Sequence, residues 1–189
     1  MKKFLCMVLV TISITALIGC GSNNKTTDKQ IESKTESSQK EEKKEEINTI
    51  KIGDTITGKS SNIVVNKIEF SYDVLPDKTS GAYTHYPAKE GKVYINIDVD
   101  VKNTQKQELP CDKVMTVEAD YNNGYKYKSQ PIVENSTTGF TYANITSITP
   151  LETMGMRFLI DCPKEVAESN NSLVLTFNLD GTKYQYKMR

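Results

Sequence analysis

The stretch KVYINIDVDVKN, residues 92–103, decides the fold predicted for this chain. Every second position from Val93 to Val101 is a valine or an isoleucine, and the positions between them carry Tyr, Asn and Asp. Because successive side chains of a strand point to opposite faces of a sheet, this alternation is typical of a strand with one buried face. The stretch therefore predicts a half-buried β-strand.

The same alternation recurs on both sides of this stretch. It predicts strands at residues 50–52, 63–72, 115–121, 154–162 and 173–179, and two more that begin at Tyr125 and Tyr184. The dipeptides Asn123-Gly124 and Asp180-Gly181 precede those two and favour the positive φ angles of type I′ hairpin turns. One segment, CPKEVAES, predicts a single helical turn led by Pro163. About seven or eight short strands with turns between them indicate an all-β, immunoglobulin-like β-sandwich.

Residues 1–20 have the pattern of an export signal. Lys2 and Lys3 precede an apolar run at residues 4–18, which is shorter than the ~20 apolar residues of a transmembrane helix. The run LIGC at residues 17–20 resembles the lipobox of bacterial lipoproteins. That resemblance implies cleavage after residue 19, lipid attachment at Cys20 and anchoring in the lipid bilayer at the extracytoplasmic face of the membrane. An ordinary secretory signal, or an uncleaved anchor with a chance cysteine, is the alternative.

The rest of the chain divides into a polar segment and one domain. Residues 21–46 carry a single large apolar side chain, Ile31, among mostly polar and charged residues. Such a segment buries too little apolar surface to fold, so we predict a disordered tether at 20–46. It lies between a predicted signal peptide at 1–19 and a predicted sandwich domain at 47–189. The chain carries 24 Lys and Arg against 24 Asp and Glu, so it lacks the basic excess of a nucleic-acid-binding protein.

Five short motifs occur in an order that resembles a known family. They are KIGDTITG (51–58), VDVKNT (99–104), NNGYKY (122–127), PLE (150–152) and PKEV (163–166). Their order is similar to that in telokin-like, immunoglobulin-like domains of unknown function carried by exported lipoproteins of Gram-positive bacteria. The resemblance implies a two-sheet sandwich, an extracellular location and no enzyme activity. It supplies no functional residues to carry over.

Two cysteines, Cys111 and Cys162, remain in the predicted domain once Cys6 leaves with the signal and Cys20 is lipidated. An oxidising extracytoplasmic setting favours a disulfide between them. Two free thiols are the alternative, because exported proteins of Gram-positive bacteria often avoid disulfides. We predict no metal site, since structural zinc needs four ligands and His85 is the only histidine.

The sequence carries no catalytic signature, so we predict a protein that is not an enzyme and needs no cofactor. A Ser-His-Asp or Cys-His arrangement would have to use His85, which lies in a Pro- and Gly-rich segment. Two acid pairs, Asp98 with Asp100 and Glu118 with Asp120, share strand faces and suggest either a cation site or solvated acids. An envelope hydrolase that uses carboxylates is the alternative function.

Two long connections carry the candidate binding residues. Residues 73–92 include Tyr83, His85 and Tyr86, and residues 136–150 include Phe140 and Tyr142. Long loops of a compact sandwich are often binding loops, and tyrosines supply rigid, amphipathic contact area. The alternative is that these rings pack onto the sheet as a satellite core. The sequence thus predicts an anchored module that binds a surface protein or an envelope polymer, with a purely structural accessory domain as a further alternative.

Overall fold

A computed structural model of the protein describes residues 48–189. The predicted signal peptide at residues 1–19, the predicted lipid attachment at Cys20 and the predicted tether at residues 20–46 lie outside the described residues. Within residues 48–189, no helix is long and apolar enough to cross a membrane.

The described chain consists of strands joined by turns and a few short helical segments. The strands are β1 (Asn48–Thr49), β2 (Thr55–Thr57), β3 (Ser61–Ser71), β4 (Asp73–Val74), β5 (Tyr86–Pro87), β6 (Lys92–Asn103), β7 (Leu109–Pro110), β8 (Thr116–Tyr121), β9 (Tyr125–Lys128), β10 (Gln130–Asn135), β11 (Gly139–Tyr142), β12 (Ser147–Ile148), β13 (Thr153–Pro163), β14 (Leu173–Leu179) and β15 (Thr182–Lys187). The helical segments are the helix α1 (Lys164–Glu168) and 3-10 turns at Cys111–Lys113 and Ala143–Ile145.

The strands form two main sheets that share one core. One sheet has the order β1-β15-β14-β8-β9 and the other has the order β11-β10-β13-β6-β3-β2, while β7 pairs with β12 and β4 with β5. Inward-facing side chains from both sheets pack together, among them Ile97 of β6, Phe158 of β13 and Phe177 of β14, all fully buried. The predicted all-β sandwich is therefore confirmed.

The stretch that predicted the fold forms the central strand β6 without a shift of either end. Its alternating Val and Ile side chains are fully buried, as one-sided burial requires. It pairs antiparallel with β13 on one side and with β3 on the other, where a β-bulge lies between Val65 and Lys67. The strands predicted at residues 63–72, 115–121, 154–162 and 173–179 are present with shifts of a residue or two at their ends.

The strand predicted at residues 50–52 is wrong. The first strand ends at Thr49, and the chain then turns, with the Asp54 carboxylate accepting the Lys51 N–H at 2.8 Å. Ile50 is buried in the core, whereas Ile52 is 46% exposed. Two isoleucines two residues apart gave the pattern of a strand, although only the first belongs to the core.

The two predicted hairpins are present, but one connection is a residue longer than the predicted two-residue turn. At the β14–β15 turn, Asp180 and Gly181 have φ angles of 51° and 86°, as a type I′ turn requires. At the β8–β9 turn, the positive φ angles belong to Asn122 (51°) and Asn123 (53°) rather than to Asn123 and Gly124. Because Tyr121 pairs with Tyr125, this connection consists of residues 122–124, and asparagine tolerates the left-handed region at its first two positions.

The predicted disulfide between Cys111 and Cys162 is not formed, and both thiols are free and buried. Cys111 Sγ lies 3.8 Å from Met154 Sδ near the start of β13, whereas Cys162 lies near the end of that strand. At a rise of about 3.3 Å per residue, Met154 and Cys162 are roughly 26 Å apart. Sequence reasoning placed both cysteines near strand ends but did not place those ends at opposite limits of the sandwich.

We expect both thiols to resist alkylation in the folded protein and to react once it unfolds without reductant. Burial raises the pKa of each thiol to about 11, with Asp112 adding to the effect at Cys111 and Asp161 at Cys162. Because the thiolate is the reactive form, both groups are inert at neutral pH. Mass mapping of the two cysteine peptides after maleimide treatment, with and without denaturant, measures this. If the two cysteine peptides stay unmodified in denaturant until reductant is added, the result would contradict the free thiols and support the predicted disulfide.

Candidate binding site

The long connection between β3 and β6 forms an ordered cover on the outer face of the six-stranded sheet. Within this covering loop, residues 72–88, Val74 of β4 pairs with Tyr86 of β5. Farther along the loop, the Thr84 N–H donates to the Thr138 carbonyl next to β11, at 2.8 Å. Val74 and Pro76 of the loop are buried. The loop therefore belongs to the fold and gives its side chains fixed positions.

An ion-pair cluster fastens the covering loop to the sheet. Arg157 of β13 is only 4% exposed. Its Nη1 lies 2.6 Å from Asp98 Oδ1 of β6, and its Nη2 lies 2.6 Å from Asp77 Oδ1 of the loop and 2.8 Å from Glu134 Oε1 of β10. The Glu134 Oε1 contact is an ion pair without hydrogen-bond geometry, and the other oxygen of Glu134 accepts the Asp77 N–H at 3.4 Å. Arg157 thus joins two neighbouring strands and the loop.

The cluster sets three carboxylates against one guanidinium. Burial raises the pKa of Asp98 and the pKa of Glu134, and the charge of Arg157 offsets this only in part. A carboxyl whose pKa is higher in the folded state stabilises the fold below its unfolded pKa, and it loses that contribution as the pH rises through the folded pKa. Asp98 and Glu134 therefore favour folding more under mildly acidic conditions than at neutral pH.

We expect Glu134→Gln to gain stability relative to the wild type as the pH rises from about 4 to about 7. Glutamine keeps the shape of the side chain and an acceptor for the Asp77 N–H, but it has no charge to bury. Arg157 retains Asp98 and Asp77 as partners. Denaturant unfolding across this pH range measures the difference, with the exposed Glu90→Gln as the control. Parallel stability curves for wild type and Glu134→Gln would contradict the assignment.

Phe140 belongs to a second apolar cluster that lies under the covering loop. Its buried members are Val74, Ile132, Phe140 and Leu159. Phe140 is 3% exposed, and the Tyr86 ring packs on it with centroids 5.6 Å apart and an angle of 57°. The satellite-core interpretation therefore applies to Phe140, which supports the surface without being part of it.

Tyr86 and Tyr142 border a surface depression of about 340 Å³. The lining residues come from the covering loop, β10, β11 and both 3-10 turns: Tyr86, Asp112, Gln130, Pro131, Ile132, Tyr142, Ala143 and Asn144. Tyr142 lies opposite Ile132 in the β10–β11 register and is 68% exposed. Burial raises the pKa of Tyr86, with Tyr142 and Tyr94 adding to the effect, so its phenol stays protonated and can donate a hydrogen bond.

Tyr83 and His85 form a separate pair that does not line this depression. Their rings meet edge to face with centroids 6.0 Å apart. His85 Nδ1 lies 2.7 Å from Asp73 Oδ1, and both side chains are nearly half exposed. The structure thus brings Tyr86, Phe140 and Tyr142 together and places the other two candidates in a separate pair beside Asp73 of β4.

The two acid pairs singled out in the sequence have partners in the described structure. Lys126 Nζ lies 3.0 Å from Glu118 and 3.3 Å from Asp120, which explains that pair as a surface ion cluster. Asp98 pairs with Arg157, and Asp100 accepts a hydrogen bond from Asn66 at 3.1 Å. Within residues 48–189, no group of three or more His, Cys, Asp or Glu side chains is placed to hold a metal ion.

Sequence reasoning missed several residues of this region. Arg157 alternates with the buried side chains of its strand and so has an outward position, but nothing in the sequence predicted its burial under the covering loop. Asp112, Gln130 and Asn144 carried no signal beyond being polar residues near turns. The nearest signal was the pair of rings in the FTY segment at residues 140–142, which strand alternation places on one face of the sheet, although Phe140 is buried and Tyr142 is exposed.

Comparison with solved structures places this fold among known β-sandwiches. An uncharacterized β-sandwich protein from Clostridium difficile 630 is 57% identical, with a TM-score of 0.75 over 77% of this chain and 96% of that chain. A conserved hypothetical protein from Bacillus anthracis is 12% identical, with a TM-score of 0.50 over 73% of this chain and 94% of the other, and shows a similar fold. No family model and no curated protein matches the sequence.

Proposed function

The chain belongs to the family of the uncharacterized β-sandwich protein of Clostridium difficile 630, and we propose that it is a non-catalytic binding module anchored to the cell surface. Its partner is a surface protein or an envelope polymer. The single observation that carries the proposal is the depression between Tyr86 and Tyr142, which several separate chain segments build together.

The depression has the properties of a preformed contact surface. The Arg157 cluster holds the covering loop, and the buried Phe140 cluster supports the Tyr86 ring from below. A surface that is ordered before binding loses less conformational freedom on contact, which favours affinity. Exposed tyrosines add contact area with few rotatable bonds.

The proposed location at the cell surface rests on the sequence. The LIGC motif at residues 17–20 supports lipidation of Cys20 at the extracytoplasmic face of the membrane, and the polar segment that follows supports a tether. The order of the KIGDTITG, VDVKNT, NNGYKY, PLE and PKEV motifs supports membership of the telokin-like lipoprotein domains. These features and the depression together favour binding at the cell surface.

The carboxyls with raised pKa favour a structural role over hydrolysis. Asp98 and Glu134 both contact Arg157 within the cluster that holds the loop. Neither lines the depression between Tyr86 and Tyr142, and in the second depression, which Glu134 lines together with Asp77, both carboxylates pair with Arg157. A glycosidase needs two carboxyls facing one substrate site, so a non-catalytic role is the better proposal.

Anchoring is tested on the full chain expressed in a Gram-positive host. We expect the wild type in the membrane fraction, released by detergent, and Cys20→Ala in the soluble fraction or the medium. Metabolic labelling with a radioactive fatty acid should mark the wild type alone. Equal membrane retention of both forms, with no label on the wild type, would contradict the lipoprotein assignment.

Binding is tested with residues 47–189. The alignment covers almost all of the C. difficile chain and 77% of this one, so a chain of about this length folds alone. We expect retention on a Gram-positive envelope fraction to fall about tenfold or more in Tyr142→Ala, as for an interface anchor. The matched control is Tyr125→Ala, a 60% exposed tyrosine on β9 of the other sheet. Equal retention of the two variants would overturn the assigned surface.

A further inference from the structure

The chemistry of the depression is more specific than a general contact surface. Its apolar part consists of Pro131, Ile132 and Ala143, with the two tyrosine rings at its border. Its polar part consists of one carboxylate and two amides, from Asp112, Gln130 and Asn144. A concave, mostly apolar lining with a few directional polar groups is the usual composition of a small-ligand site.

The charge of the lining restricts the ligand. Asp112 is the only charged residue among the lining residues, and its carboxylate lies 3.1 Å from Lys113 Nζ outside the lining. No lysine or arginine belongs to the lining. A phosphate, sulfate or carboxylate ligand would therefore find no cation in the depression, and it would meet a carboxylate. The lining fits a neutral ligand that exchanges hydrogen bonds with amide and phenol groups.

The size of the depression and the chemistry of its lining favour a ring-shaped ligand. Its volume of about 340 Å³ is near the lower end of ordinary ligand pockets, which start at about 300 Å³. A sugar ring has one apolar face of C–H groups and a rim of hydroxyls that both donate and accept. Tyrosine rings can pack against the apolar face, while Asp112, Gln130, Asn144 and the Tyr86 hydroxyl are available to the rim.

We propose that the depression between Tyr86 and Tyr142 binds a neutral saccharide unit of a glycan. This inference rests on the proposed function, because it names the ligand class of the same surface. Tyr142 is the exposed stacking ring, Tyr86 is the supported ring, and Asp112 with the two amides selects hydroxyls over anionic groups. The covering loop supplies one ring of the lining and β11 supplies the other.

The test titrates residues 47–189 with three probes of similar length: chitotetraose, maltotetraose and the anionic tetragalacturonate. Backbone amide chemical shifts locate binding, and calorimetry gives the dissociation constant. We expect at least one neutral probe to saturate, with shifts confined to residues 86, 112, 130–132 and 142–144. Tyr142→Ala should weaken that binding about tenfold or more, while Tyr125→Ala should leave it unchanged.

Several results would overturn the saccharide assignment. They are tighter binding of tetragalacturonate than of either neutral probe, equal effects of Tyr142→Ala and Tyr125→Ala, or the absence of saturation by both neutral probes. If neither neutral probe binds but Tyr142-dependent retention on the envelope persists and is lost after protease treatment of the envelope, the partner is a protein and the binding module stands. If Tyr142-dependent retention is also absent, the proposed function itself fails.

Discussion

Arg157→Met is expected to lower the free energy of unfolding by about 3–5 kcal/mol, because it leaves buried carboxylates without their cation. The side chains of Asp98 and Glu134 are only 20% and 15% exposed, so water replaces the guanidinium poorly at either one. Asp77 is 74% exposed and contributes little to the loss. Denaturant unfolding of wild type and variant at neutral pH measures the change.

A lysine on the opposite sheet provides a matched control for Arg157. Lys126 also contacts two carboxylates, Glu118 and Asp120, but its side chain is 55% exposed. We expect Lys126→Met to leave stability nearly unchanged, since exposed ion pairs contribute little. Similar losses for the two methionine variants would show that burial does not set the strength of the Arg157 cluster.

A rescue variant separates unpaired charge from lost packing. Adding Asp98→Asn and Glu134→Gln to Arg157→Met removes the buried charges that the single variant leaves unpaired. We expect this triple variant to recover most of the lost stability, because a buried ion cluster is often replaceable by neutral groups of similar shape. A triple variant as unstable as Arg157→Met would assign the loss to packing of the arginine side chain.

The one-sided strands of the fold were predictable because burial acts directly on local sequence. β6 has one face in the core, so its sequence alternates and the pattern reports the structure. β10 shows the opposite case. Ile132 faces the second cluster and Val133 faces the main core, so both faces of this strand are covered and its alternation disappears. The sequence of a strand covered on both sides is a short apolar run, and periodicity alone cannot distinguish such a run from a buried helix segment.

The Arg157 cluster was not predictable because it depends on distant pairings. Asp77 lies 80 residues before Arg157 in the chain, and Asp98 lies 59 residues before it. An arginine at an outward strand position is exposed by default, and only the covering loop changes that. Where the loop lies follows from its contacts with β11 and β10, and no local pattern in residues 73–92 encodes those contacts. The sequence identified the loop and its aromatic residues, but not what they cover.

The second cluster explains why a long loop and a binding surface occur in the same place. Val74 and Tyr86 cover Ile132 and Phe140, so the loop stabilises the outer face while it brings Tyr86 beside Tyr142. Stability and recognition therefore share the covering loop, and the Tyr86 side chain takes part in both. Buried rings hold the surface, and exposed rings are available to a ligand.

Phe140→Ala is expected to lower the free energy of unfolding by about 3–5 kcal/mol, because it opens a cavity in the second cluster. Phe140 is 3% exposed and contacts the Tyr86 ring, so the variant also removes the support of one border of the depression. Tyr142→Ala, two residues along the same strand, should leave stability nearly unchanged because that ring is 68% exposed. Denaturant unfolding of both variants and of Phe140→Leu measures the difference, and the leucine variant should lose less because it refills most of the volume.

The two alanine variants should then differ in how they lose ligand binding. Phe140→Ala should lose it together with protection of the covering-loop amides from hydrogen exchange, because Tyr86 and the loop lose their packing. Tyr142→Ala should lose binding while those amides keep their protection, because it removes contact area without disturbing the cluster. If Tyr142→Ala instead destabilises the domain as much as Phe140→Ala, both rings serve the satellite core. The depression would then be a consequence of packing and not a binding site.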